Sequence, residues 1–254
     1  MSKNSKIALV TGGSRGLGKN SAIALSKKGI DVIITYNKEK EKADLVVNEI
    51  EKNGCKAFAL QLDVGNVASH EVFAAKLSDV LKEKWNQEKF DFLINNAGFG
   101  IMASFVDTTE EQFDSLMNVH FKGVFFLTQK LTKLIADNGR IINFSTGLAR
   151  FVGPGFSAYA AMKGAIEILT KYMAKELGDR GIRVNVVAPG VTNTDFHHGG
   201  LDNNQVAKDM FGSQTALGRV GEPDDIGGVV ASLCTAEMSW VTGERIEASG
   251  GMLL

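Results

Sequence analysis

The glycine-rich octet Thr11-Gly12-Gly13-Ser14-Arg15-Gly16-Leu17-Gly18 directly follows the apolar run Ile7-Ala8-Leu9-Val10 and opens an amphipathic stretch that reaches Lys28. A strand that enters a helix through such a turn can bend sharply and offer free backbone N–H groups to an anion such as a pyrophosphate. The strand–helix pattern then repeats along the chain. Short apolar runs at 31–35, 56–62, 90–95, 140–145, 182–188 and about 244–248 alternate with helical stretches at 38–53, 66–84, 109–136, about 156–178 and near 223–235. Apolar runs without polar alternation fit strands buried on both faces, and right-handed crossovers through helices make such a sheet parallel. The expected fold is α/β: a single doubly wound Rossmann-type domain spanning residues 1–254, with a seven-stranded parallel sheet and helices on both faces. Residues 193–217, rich in Asn, Gly, His and Gln, lack a clear period and read as an irregular substrate loop.

Composition narrows the class. Lysine and arginine total 28 against 29 acidic residues, a net charge of -1, which argues against a basic nucleic-acid surface. No stretch approaches the roughly 18 apolar residues of a membrane span, and the first residues lack a signal-peptide core. Cys55 and Cys234 alone cannot form a disulfide framework, and neither has a partner at metal-ligand spacing. The adjacent His197 and His198 lack a third ligand and read as lining the mouth of a substrate site. The expectation is a cytoplasmic protein with no metal, no nucleic-acid partner and no membrane.

Tyr159 and Lys163 stand four residues apart in a helical stretch and so share a face. A phenol ordinarily titrates near 10. A neighbouring ammonium favours its ionised form, which would make Tyr159 a general acid/base for a carbonyl or hydroxyl oxygen.

Several motifs occur in order: TGGSRGLG at 11–18, Asp63-Val64, Asn95-Asn96-Ala97-Gly98, Tyr159-Ala160-Ala161-Met162-Lys163, Asn185 to Gly190, and a terminal TGERIEASGG. In these the chain resembles the short-chain dehydrogenase/reductase family over essentially its whole length, in particular 3-oxoacyl-[acyl-carrier-protein] reductase-like members. The resemblance implies hydride transfer between a nicotinamide and a carbonyl or secondary alcohol, with Tyr159 as the proton donor or acceptor and Lys163 also holding the nicotinamide ribose. Gly12, Ser14, Arg15, Gly16, Leu17 and Gly18 would hold the pyrophosphate, and Asp63 with Val64 would bracket the adenine. Asn96, Ala97 and Gly98 would line the ribose, and Pro189, Gly190, Thr192 and Thr194 the carboxamide side. Family members usually pair through the two long helices and the last strand, so a homodimer or homotetramer is expected.

Two positions depart from the family pattern. The family's catalytic serine falls thirteen residues before the tyrosine, which here is Thr146; Ser145 is the alternative, although it would ordinarily face the other way along the strand. Threonine keeps the donor and acceptor of serine and adds a methyl group. The family's relay asparagine, three residues before Gly123, is His120. A histidine could take over that relay and make activity pH-sensitive, or could be a core residue satisfied by a backbone carbonyl. Asn118, about 200° away around a helix, should point elsewhere.

Cofactor choice is read at the end of the second strand, where NAD-preferring relatives carry an acid. Here Tyr36, Asn37 and Lys38 occupy that region, with Arg15 nearby in the glycine turn. Arginine and lysine suit a 2′-phosphate, so NADP(H) is expected rather than NAD(H). Ala136-Asp137-Asn138 before the fifth strand weakens an acyl-carrier-protein partner, although Arg180 remains available for one. The competing possibility is a dinucleotide-binding regulatory protein whose two departures record impaired catalysis.

Overall fold

The computed structural model describes residues 5–196, 201 and 204–254. Among the described residues, seven strands form one parallel sheet: β1 (Ile7–Val10), β2 (Asp31–Tyr36), β3 (Ala57–Gln61), β4 (Phe90–Asn95), β5 (Ile135–Phe144), β6 (Arg183–Pro189) and β7 (Arg245–Ala248). Their order is β3-β2-β1-β4-β5-β6-β7. The order reverses at β1, so the carboxyl ends of β1 and β4 diverge into a crevice where open α/β sheets take their ligands.

Alternation along each strand divides the core into two layers. Ala8 and Val10 of β1, with Ile34, Ile94 and Phe144, pack under α1 (Gly16–Ser26), α2 (Lys40–Lys52) and α8 (Pro223–Leu233). Ile7 and Leu9, with Ile33, Leu93 and Val184, pack on the other face under α3 (His70–Val80) and α5 (Val124–Leu131). The remaining α-helices among the described residues are α4 (Glu110–Met117), α6 (Ser157–Glu176) and α7 (Gln205–Ser213).

The structure departs from the expected elements in three places. The stretch 109–136 is not one helix: α4 and α5 are joined by a wide π-type turn, Asn118–Gly123, of the kind often found at functional sites. Strand β5 begins at Ile135 rather than 140, and its pairing with β4 shifts register between Phe90 and Phe92 around the left-handed Asn138. Within 193–217 lies the helix α7, capped by the Asn204 side chain accepting from the Ala207 N–H. Nine residues, although they set Val206/Met210 and Ala207/Phe211 four apart, give too few turns to show a clear period. His197 and His198 lie outside the described residues.

A buried polar chain fixes the long helices to the sheet. The Asn95 amide donates to Thr128 at 3.0 Å and to the Asn143 side-chain oxygen at 2.9 Å, and Asn143 donates to Thr170 at 2.9 Å. Asn143 is fully buried. Replacing it with Leu strips partners from both neighbours, and the folded state should lose about 1–3 kcal/mol. A lowered midpoint in urea with an unchanged slope is the expected result.

Candidate active site

The crevice opens into a cleft of about 1000 Å³ that runs from the glycine turn to the amino-terminal end of α6. At one end, Gly12 takes a φ of +63°, and its N–H donates to the Thr35 hydroxyl at 3.2 Å. The turn is braced from β4: the Asn96 amide donates to the carbonyls of Thr11 and Gly12, at 3.0 and 3.2 Å, and the Thr11 hydroxyl accepts from the N–H groups of Asn96 and Ala97. The backbone of Gly12 to Gly18 is thereby held open beside the start of α1. A Cβ at Gly13 would lie 2.7 Å from Ile34, so the turn accepts no bulk at that point. This cradle fits a dinucleotide pyrophosphate. All the expected cofactor positions line the cleft apart from Gly18, which packs beneath the turn. They are Gly12, Ser14, Arg15, Gly16, Leu17, Tyr36, Asn37, Lys38, Asp63, Val64, Asn96, Ala97, Gly98, Pro189, Gly190, Thr192 and Thr194.

The two cations expected at this end differ. Lys38 is exposed and has no carboxylate partner among the described residues. Arg15 reaches across the mouth to Asp195 at 2.6 Å, a half-exposed pair that no motif announced.

At the other end, α6 places Tyr159 and Lys163 on its buried face, 6% and 5% exposed. Thr146, in extended conformation just past β5, brings its hydroxyl beside the Tyr159 phenol and accepts from the Leu148 N–H at 3.3 Å. The Ser145 hydroxyl turns the other way and donates to Glu167 at 2.6 Å, so the alternation expected at the strand end holds. The electrostatics differ from expectation. Burial pushes the phenol of Tyr159 well above its ordinary range, opposed only in part by the neighbouring Thr146 hydroxyl. Lys163 does not offset this, because burial pushes its own ammonium down to about 7 and its Nζ donates to the Phe144 carbonyl at 2.8 Å. Tyr159 is therefore protonated at neutral pH.

His120 sits in the π-type turn, 1% exposed, with its ring edge-on to Tyr159 at 5.1 Å between centroids. It rests on Gly98, where a Cβ would stand 2.5 Å from the ring. Its Nε2–H donates to the Phe99 carbonyl at 2.7 Å, which leaves Nδ1 a buried acceptor with no partner among the described residues. Burial, then the nearby Lys163, push its pKa down to about 3. The expected pH sensitivity at His120 is thus corrected: the ring is neutral throughout the working range. Asn118 packs toward Gly65 instead, away from the phenol.

Sequence reading missed the apolar walls. Phe196 packs over Gly100 and meets Tyr159 at 5.7 Å, and Phe99, Met102, Phe151 and Phe156 complete the substrate end. Isolated aromatics in loops carry no periodic signal that would reveal this convergence. Among the described residues no cluster of His, Cys, Asp or Glu could hold a metal, and no helix is long and apolar enough to cross a membrane.

Comparison with known proteins agrees with this architecture. Residues 12–253 match the family model described as enoyl-(acyl carrier protein) reductase. The chain is 36% identical over 254 residues to the 3-oxoacyl-[acyl-carrier-protein] reductase FabG of Staphylococcus aureus, covering 99% of this chain and 100% of that one. Among solved structures it is similar to the promiscuous reductase LugOII, with a TM-score of 0.93, 38% identity and all of both chains covered. It is also similar to the angucycline C-6 ketoreductase LanV with bound NADP, with a TM-score of 0.92 and 37% identity over 98% of this chain and 95% of that one. With a parallel sheet in the order β3-β2-β1-β4-β5-β6-β7, a braced glycine turn and a buried tyrosine–lysine pair, the chain belongs to the short-chain dehydrogenase/reductase family.

Proposed function

We propose that the chain is an NADP(H)-dependent reductase of carbonyl groups, formed by residues 1–254 as one dinucleotide-binding unit with 193–217 at the substrate mouth. The observation that carries this reading is the buried Tyr159–Lys163 pair on one face of α6, beside Thr146, at the far end of a cleft that begins in the glycine turn. When bound, the nicotinamide supplies the hydride. Tyr159 delivers the proton to the substrate oxygen, and Thr146 orients that oxygen. Lys163, close enough to neutrality to exchange its proton, holds the ribose edge beneath Tyr159. His120 holds its place by donating to Phe99 and presents Nδ1 as an acceptor for a relay. A phenol protonated at neutral pH is in the form that must give its proton in carbonyl reduction.

Arg15 and Lys38 hold the 2′-phosphate, and NADP bound to LanV is in keeping with this. The double variant Arg15→Ala/Lys38→Ala should weaken NADPH binding about tenfold or more while NADH binding shifts less than threefold, read by nicotinamide fluorescence. Equal losses for both dinucleotides would remove the phosphate assignment.

The apolar, aromatic-walled end suits a ketone on a bulky apolar skeleton, in line with the keto-reductions named for LanV and LugOII. An acidic carrier protein is less well served, since Arg180 is already bound to Asp137 at 2.8 Å and to the carbonyls of Thr132 and Ile135. The deciding experiment is NADPH consumption with a panel of aromatic ketones, small ketones and 3-oxoacyl thioesters. Turnover with the aromatic ketones supports the proposal, and none with any carbonyl overturns it. Exposed Phe125, Ile168 and Tyr172 on α5 and α6 suit a homodimer or homotetramer, and the unpaired, buried Cys55 and Cys234 suit a reducing, cytoplasmic setting.

A further inference from the structure

Behind Thr146 a ladder of alternating charges crosses the carboxyl edge of the sheet. Glu167 lies one helical turn beyond Lys163, on the stripe of α6 that carries Tyr159. Its Oε1 accepts from the Ser145 hydroxyl at 2.6 Å and from Arg245 Nε at 2.7 Å. Arg245 then donates through one terminal nitrogen to Glu247 at 2.5 Å and through the other to the Thr146 carbonyl at 3.2 Å. Glu247 accepts both Nε and Nη2 of Arg150, at 2.9 and 3.0 Å. Arg150 ends the ladder on the carbonyls of Leu253, at 2.9 Å, and Met252.

These groups are better shielded than an ordinary surface network. The side chains of Glu167, Arg245 and Glu247 are 19%, 22% and 22% exposed, so solvent and salt weaken them less than open pairs. The ladder touches the site at two points. Thr146 is held through its carbonyl while its side chain lines the cleft beside Tyr159. Met252 and Leu253 line the cleft, and Leu253 keeps a left-handed φ of +50° that a non-glycine residue adopts only when its surroundings impose it.

We propose that Arg245 is a positioning residue: through the ladder Glu167–Arg245–Glu247–Arg150 it fixes the Thr146 backbone, and with it the hydroxyl at Tyr159, while the same ladder pins Met252 and Leu253 as a wall of the substrate end. The catalytic meaning of this placement rests on the carbonyl-reductase reading; the placement itself does not. A displacement of about 1 Å at an orienting group can cost on the order of a hundredfold in rate. Arg245 acts at one remove, so a smaller loss is expected.

The test uses the full chain with 13C-labelled tyrosine rings. The three tyrosines are Tyr36, Tyr159 and Tyr172, and the Tyr159 signal is identified by its loss in Tyr159→Phe. In Arg245→Met the Tyr159 signal should move as its Thr146 partner shifts, while the other two stay in place. With NADPH and an accepted ketone, kcat should fall about tenfold with the NADPH Kd within twofold. Arg245→Lys should recover only part of this, because a lysine cannot serve two carboxylates and a carbonyl with the guanidinium fork. If Arg245→Met does not fold, the isosteric Glu247→Gln should move the same signal by less. An unmoved Tyr159 signal in a folded variant, or a kcat loss matched by loss of NADPH binding, overturns the proposal. A wild-type chain that reduced no carbonyl would sink the reductase reading, and the Tyr159 signal would still decide the ladder.

Discussion

Replacing Tyr159 with Phe should lower turnover of an accepted ketone by about 10²–10⁴-fold, the range usual for loss of a general acid. The change removes one oxygen from a side chain that is 6% exposed and packed between His120 and Phe196. The cavity it leaves is small, and the neighbouring Thr146 hydroxyl keeps its hydrogen bond from the Leu148 N–H. NADPH binding should therefore stay within threefold and the melting temperature within a few degrees. Steady-state kinetics together with a fluorescence titration make the check. A variant with wild-type kcat would show that the proton comes from elsewhere.

Lys163→Met should separate activity from stability in an unusual direction. Burial lowers the folded-state pKa of Lys163 to about 7, against about 10.5 when exposed. Below pH 7 both states hold the proton, and the folded state bears the full cost of a buried ammonium. Between about 7 and 10.5 the unfolded chain binds the proton that the folded chain has released, so this group's contribution to stability improves as pH rises. Methionine removes the charge at similar volume, at the loss of one hydrogen bond to Phe144. The variant should melt above the wild type, with the gap widest below pH 7 and closing toward pH 10, while turnover falls at least a hundredfold. Calorimetry at several pH values gives the test; a variant less stable than the wild type at pH 6 would mean that the hydrogen bond outweighs the buried charge.

Both predictions draw on groups the sequence announced by spacing, yet their electrostatic character came from packing. Four residues of separation brought Tyr159 and Lys163 to one face, but spacing alone suggested an ammonium lowering the pKa of a phenol. In the folded chain desolvation dominates at both groups, and the lysine points at a carbonyl. His120 shows the same limit. Its position before Gly123 was legible, whereas its neutrality depends on Gly98, Phe99 and Lys163, which two other segments supply.

What the sequence determined by itself was whatever local chemistry encodes. The strand–helix alternation, the glycine turn and the tyrosine–lysine spacing follow from backbone sterics and period, and they specify a parallel sheet with a phosphate-binding end and an acid/base end. Only the tertiary structure decided which distant side chains converge. The Arg15–Asp195 pair, the Phe196 wall, the polar chain from Asn95 to Thr170 and the ladder from Glu167 to Arg150 join residues far apart in the chain. Such contacts arise from three-dimensional packing, in which burial raises or lowers the cost of a charge, and no period along a single chain records that.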